Sequence, residues 1–143
     1  MLKKITMADP FFSERDQKII LKETRKILKK SLSMGPNVIE FENSFKKKFK
    51  SKYAVAMNSC TSTLEAALKY VKENNINKEV ILSLQTFIAN ATAVYNNNLK
   101  PVFSEISEKN LCLDFNNLKK KITNKTAAVI IVNMFWTITK DIF

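Results

Sequence analysis

Histidine is absent from this chain. That removes the Ser-His-Asp triad, the Cys-His pair and every imidazole metal ligand, so no metal site is expected. Cysteine occurs only at Cys60 and Cys112, in no metal-binding spacing. Arginine, the favoured reader of phosphates and bases, occurs only at Arg15 and Arg25. Glycine occurs once, as Gly35. No apolar run has the length to cross a membrane. Met1–Ile5 carries two lysines but no apolar segment of a secretory signal. The expectation is a cytoplasmic protein, away from the membrane, with two free thiols.

Lysine is abundant and dominates a net charge of +11. It clusters at Lys29-Lys30, at Lys46 to Lys52 and at Lys119-Lys120-Lys121. A basic surface can bind nucleic acid or an acidic ligand. With little arginine, and no aromatic residues alternating with the lysines, the clusters read as solvated helix faces rather than a nucleic-acid interface. A length of 143 residues and a hydrophobic content of 45% suit one domain with a real core.

Periodicity divides the chain into a helical part, about 13–50, and a part of alternating strands and helices, about 53–132. Ser13 and Asp16 form the ends of a capping box, which starts a helix running to about Ser31. Met34-Gly35-Pro36 breaks it. Val38, Phe41, Phe45 and Phe49 then recur at helical spacing and read as a core-facing stripe. Strands are expected at Tyr53–Met57, Glu79–Leu82, Pro101–Ile106 and Ala127–Val132. Helices are expected at Ser62–Glu73, Ile88–Tyr95 and Phe115–Ile122, the last capped by Asp114. Asn96-Asn97-Asn98 reads as a helix stop, because asparagine tolerates the left-handed conformation where glycine is missing. Strands alternating with helices predict a three-layer α/β/α fold with a mostly parallel sheet. Ligands of such sheets bind outside the carboxyl ends of the strands.

Ser59-Cys60-Thr61-Ser62-Thr63-Leu64 is the most informative segment. Small hydroxylated residues stand between an apolar stretch and a helix start. The first N–H groups of a helix lack internal partners and sit at the positive end of its dipole, which suits a phosphate. Serine and threonine are also plain capping residues, and on the residues alone the two readings stay open. Cys60, at such a terminus, is a candidate for some reactivity, but no base accompanies it for catalysis. Cys112 reads as inert.

Several segments together resemble the DegT/StrS type of pyridoxal 5'-phosphate-dependent nucleotide-sugar aminotransferases, within fold type I. They are Gly35-Pro36 followed by Phe41-Glu42, Ala54 to Ser62, Ser83-Leu84-Gln85-Thr86-Phe87-Ile88-Ala89, Lys100-Pro101-Val102-Phe103, and Ile122 to Thr126. The resemblance covers about residues 10 to 143. It implies that Cys60, Thr61 and Ser62 hold the cofactor phosphate, and that Phe87 stacks on the pyridine ring. It implies transfer of an amino group from a donor such as glutamate to a keto-sugar nucleotide, by a homodimer, in polysaccharide or antibiotic-sugar biosynthesis. The family's Schiff-base lysine, and the acid that pairs with the pyridinium nitrogen, lie beyond the segment matching Ala127–Val132. No catalytic residue is therefore assigned within this chain. It reads as the N-terminal part of the PLP-binding large domain, incomplete, inactive alone and prone to aggregate. A sugar 3-dehydratase of the same family, with histidine in place of that lysine, is an alternative, as is a non-catalytic phosphate-ligand or partner-binding module. Asn133-Met134-Phe135-Trp136 departs from the family pattern, with Trp136 where glycine is usual.

Overall fold

A computed structural model of the chain describes residues 10–30 and 32–134. The expectations for Ser31, Phe135 and Trp136 lie outside them. The chain divides into two compact units, residues 1–56 and 57–143.

The first unit holds helices α1 (Glu14–Ile27) and α2 (Pro36–Phe49). The capping box at the start of α1 forms as expected. Ser13 Oγ accepts from Asp16 N–H at 3.1 Å, and Asp16 Oδ2 accepts from Ser13 N–H at 3.3 Å. Gly35 caps α2 and Pro36 opens it, where a missing N–H costs nothing. The aromatic stripe forms, with ring centroids 6.4 Å apart for Phe41–Phe45 and 4.3 Å for Phe45–Phe49. It is not core: these three rings are 60%, 42% and 60% exposed, and α2 buries no residue. The spacing predicts a shared face, but burial also needs a partner surface. Tyr53–Met57 is likewise not a strand. None of the three strands pairs with it, and Tyr53 and Val55 are exposed. An apolar stretch becomes a strand only where a ladder partner exists.

The second unit is the expected layered α/β structure. Helix α3 (Cys60–Asn74) leads to β1 (Glu79–Ser83), then α4 (Ile88–Asn96), β2 (Lys100–Ser104), α5 (Phe115–Lys121) and β3 (Thr126–Ile130). The three strands form a parallel sheet in the order β2-β1-β3. Central β1 alternates its side chains between two cores. Val80 packs with Leu68 of α3, Ala93 and Val94 of α4, and Leu99. Ile81 packs on the opposite face with Leu113 and Leu118 of α5. The chain steps from β1 outward to β2, then back past β1 to β3. Right-handed crossovers in opposite directions must place α4 and α5 on opposite faces.

With glycine so scarce, other residues take the left-handed turns. Asn98 follows the end of α4 at φ 53°, the expected helix stop, and Lys50 closes α2 at φ 52°. Leu111, at φ 57°, sits in the tight turn between β2 and α5. For residues bearing a Cβ this backbone state costs about 1–2 kcal/mol.

Candidate phosphate and ring site

Helix α3 begins one residue after Ser59, earlier than the sequence pattern predicts. Ser59 is its N-cap, extended at φ −158°, ψ 158°. Its hydroxyl accepts from Ser62 N–H at 3.2 Å and lies 2.9 Å from Ser62 Oγ. Its carbonyl accepts from Thr63 N–H at 3.2 Å and from Thr63 Oγ1 at 3.1 Å. The capping reading therefore holds for Ser62, whose N–H is already used. Cys60 and Thr61 differ. They occupy the first two helical positions, and none of the hydrogen bonds among the described residues uses their N–H groups. Those groups point along the dipole of a 15-residue helix. The sequence pattern does not reveal the role of Ser59; its one signal is a serine three residues before Ser62, the usual reach of a cap.

Phe87 lies four residues beyond the end of β1. It is the N-cap of α4 at φ −69°, ψ 138° and makes no side-chain cap bond. Its ring is 74% exposed. Among the described residues this phenylalanine is therefore not part of a core, and its ring is exposed. Helix α3 feeds the start of β1 and α4 feeds the start of β2, so each turns its amino end away from the amino ends of the strands. The two helices pack through Leu68, Ala93 and Val94, and Asn97 Nδ2 donates to Glu65 O at 3.2 Å. No hydrogen bond or ring contact among the described residues joins Phe87 to the 59–63 turn.

The carboxyl end of the sheet also buries polar groups that the sequence pattern does not single out. Ser83 and Ser104 end β1 and β2, and they are register neighbours. Both are buried. Ser104 Oγ donates to Asn117 Oδ1 at 3.0 Å, while Ser83 Oγ has no partner among the described residues. Asn117 Oδ1 also accepts from Glu105 N–H at 3.2 Å, tying α5 to the end of β2. Their signal in the sequence is a serine closing each of two apolar runs.

Cys60 is exposed, Cys112 is buried, and neither forms a disulfide. The acidic group Glu79 stands at the opposite end of the sheet. The hydrogen bond from Lys100, at 2.9 Å, holds its carboxyl below the ordinary range. Among the described residues no cluster of acidic or sulfur side chains could hold a metal ion. No helix among them is long and apolar enough to cross a membrane.

The site thus offers two open N–H groups at one helix start and an exposed ring at the next. The donors match an anion, and the unburied phenyl face matches a heteroaromatic plane.

Known proteins are similar to this chain in sequence and fold. The spore coat polysaccharide biosynthesis protein SpsC of Bacillus subtilis is 40% identical over 102 residues, covering 71% of this chain and 26% of that protein. GDP-4-keto-6-deoxy-D-mannose 3-dehydratase of Yersinia pseudotuberculosis is 30% identical, covering 93% of this chain and 35% of that protein. The chain thus spans about a quarter to a third of the length of these relatives. Spr1654 of Streptococcus pneumoniae, solved in its PLP form, shares the fold with a TM-score of 0.82 at 22% identity, covering 96% of this chain and 34% of its own. The DegT/DnrJ/EryC1/StrS aminotransferase family matches residues 14–141, and the chain belongs to that family.

Proposed function

We propose that this chain supplies the phosphate-holding and ring-facing part of the large domain of a PLP-dependent enzyme. Its reaction moves an amino group from a donor such as glutamate to a keto-sugar nucleotide. The observation that carries this reading is the pair of unpartnered N–H groups of Cys60 and Thr61, in a family of aminotransferases. When bound, pyridoxal phosphate supplies the electron sink and the amino carrier. The residues here bind and orient. Cys60 and Thr61 N–H donate to the phosphate. The Thr61 hydroxyl adds a donor, and that of Ser62 turns between Ser59 and the phosphate. Phe87 lies against the ring and excludes water from that face. Assembly as a homodimer and residence in the cytoplasm belong to the same proposal.

A second reading keeps the same site and changes the product. The Yersinia pseudotuberculosis relative, matched over 93% of this chain, is a 3-dehydratase. The two reactions yield an amino sugar or a deoxy sugar, which mass spectrometry of the product tells apart.

The direct test is calorimetric titration of the chain with pyridoxamine 5'-phosphate. Its amine, unlike the aldehyde of PLP, forms no imine with the abundant lysines. Saturable binding that inorganic phosphate displaces supports the reading. No binding, or binding that phosphate does not displace, refutes it.

A further inference from the structure

Helix α4 opens on a residue that cannot cap it. A phenylalanine side chain accepts no N–H, so Phe87 makes no side-chain cap bond. The first turn is closed from inside instead. Asn90 N–H donates to Phe87 O at 3.0 Å. Asn90 Nδ2 donates to the hydroxyl of Thr86, the residue before the cap. Asn90 is a costly choice for this position. It is only 7% exposed, and the other buried residues of α4 are Ala89, Ala93 and Val94. A buried carboxamide is unfavourable unless hydrogen-bonded, and asparagine is a poor helix former. Alanine would make the better helix. What the asparagine adds is its bond to Thr86.

That bond spans Phe87. Thr86 and Asn90 bracket it, one on each side, and hold its backbone extended while its ring stands in solvent. Leu84 and Ile88, also exposed, flank the ring in sequence.

We propose that Asn90, acting through Thr86, is a positioning residue that holds the Phe87 ring out to meet a planar heteroaromatic ligand. This rests on the reading that Phe87 faces the cofactor ring. The clamp acts on the ring alone. It leaves untouched the N–H groups of α3 that would meet a phosphate.

The test compares two probes, pyridoxamine 5'-phosphate and inorganic phosphate, by calorimetry on the full chain, alongside thermal unfolding. The variants are Asn90→Leu, Thr86→Val, Phe87→Ala and the double variant Phe87→Ala/Asn90→Leu. Asn90→Leu and Thr86→Val each break the clamp from one side. Each is expected to weaken pyridoxamine phosphate binding about three- to tenfold, the worth of one hydrogen bond, and to leave phosphate binding unchanged. In the Phe87→Ala background, Asn90→Leu is expected to add nothing, because it acts through that ring. Equal weakening of both probes would mark a merely structural role and overturn the proposal. So would an Asn90→Leu effect that persists in full without the ring. If Asn90→Leu does not fold, Thr86→Val decides alone. Phe87→Ala separates the two levels. If it leaves pyridoxamine phosphate affinity unchanged, or if the unaltered chain binds neither probe, the ring reading fails and the clamp falls with it. If it weakens binding while Asn90→Leu and Thr86→Val do not, only the clamp is refuted.

Discussion

Cys60→Pro isolates the backbone's share of phosphate binding. Cys60 is the first residue of α3, the position where proline is tolerated best, since its missing N–H would have no helical partner. The preceding residue must be extended before a proline, and Ser59 already is, at φ −158°, ψ 158°. The Ser59 cap donors, Ser62 N–H and Thr63 N–H, are left in place. The substitution should therefore leave the unfolding midpoint nearly unchanged while removing one of the two open donors. A hydrogen bond to a charged group is worth about 1.5–3 kcal/mol, so affinity for inorganic phosphate should fall roughly 10- to 150-fold. Cys60→Ala is the control: it loses the thiol and keeps the N–H. Calorimetric titration of both variants with inorganic phosphate is the assay. If folded Cys60→Pro binds as tightly as Cys60→Ala, the phosphate does not rest on this helix end.

Two further outcomes follow from the fold. Ile81→Ala removes a fully buried side chain of the central strand, packed with Leu113 and Leu118, and should destabilise by about 2–5 kcal/mol in denaturant unfolding. Glu79 carries a carboxyl whose pKa is lowered by its hydrogen bond with Lys100. A lowered folded-state pKa gives stability that is present above the unfolded value, near 4.5, and is lost as pH falls through the folded one. Glu79→Gln should therefore reduce the acid-side slope of the melting temperature below that pH, and identical slopes would refute it.

Features written in a few neighbouring residues are legible from the amino acids alone. The Ser13–Asp16 capping box, the Asp114 cap and the left-handed stop at Asn98 each need only local chemistry, and each forms. The alternation of strands and helices after residue 78 is equally plain, because a strand buried on both faces reads as a continuous apolar run. The failures share one cause. Phe41, Phe45 and Phe49 do align, and Tyr53–Met57 is apolar, but periodicity describes a surface and not what covers it. Ser59 escapes the sequence pattern for a different reason. A cap and a ligand loop require the same small hydroxylated residues, and only the hydrogen bonds assign Ser62 N–H to one and leave Cys60 and Thr61 to the other. Asn90 is hidden because a polar residue in an Ala-rich helix has no meaning until its burial is known.

The placement of the candidate site follows from residues that would never touch a ligand. Leu68 is two turns into α3, and Ala93 and Val94 lie in the second half of α4. All three meet at Val80, near the start of β1, so one cluster seats both helices on the same face of the sheet. Asn97 and Asn96 add hydrogen bonds to Glu65 at 3.2 and 2.9 Å, fixing the helices against sliding. From that anchored pair the chain runs back to the amino ends of α3 and α4, which carry Cys60 and Thr61 on one and Phe87 on the other. The candidate donors and ring are thus held by packing further along their helices, at Leu68 on one and at Ala93 and Val94 on the other. Cys60 and Phe87 themselves are exposed, and no hydrogen bond among the described residues uses the N–H groups of Cys60 and Thr61.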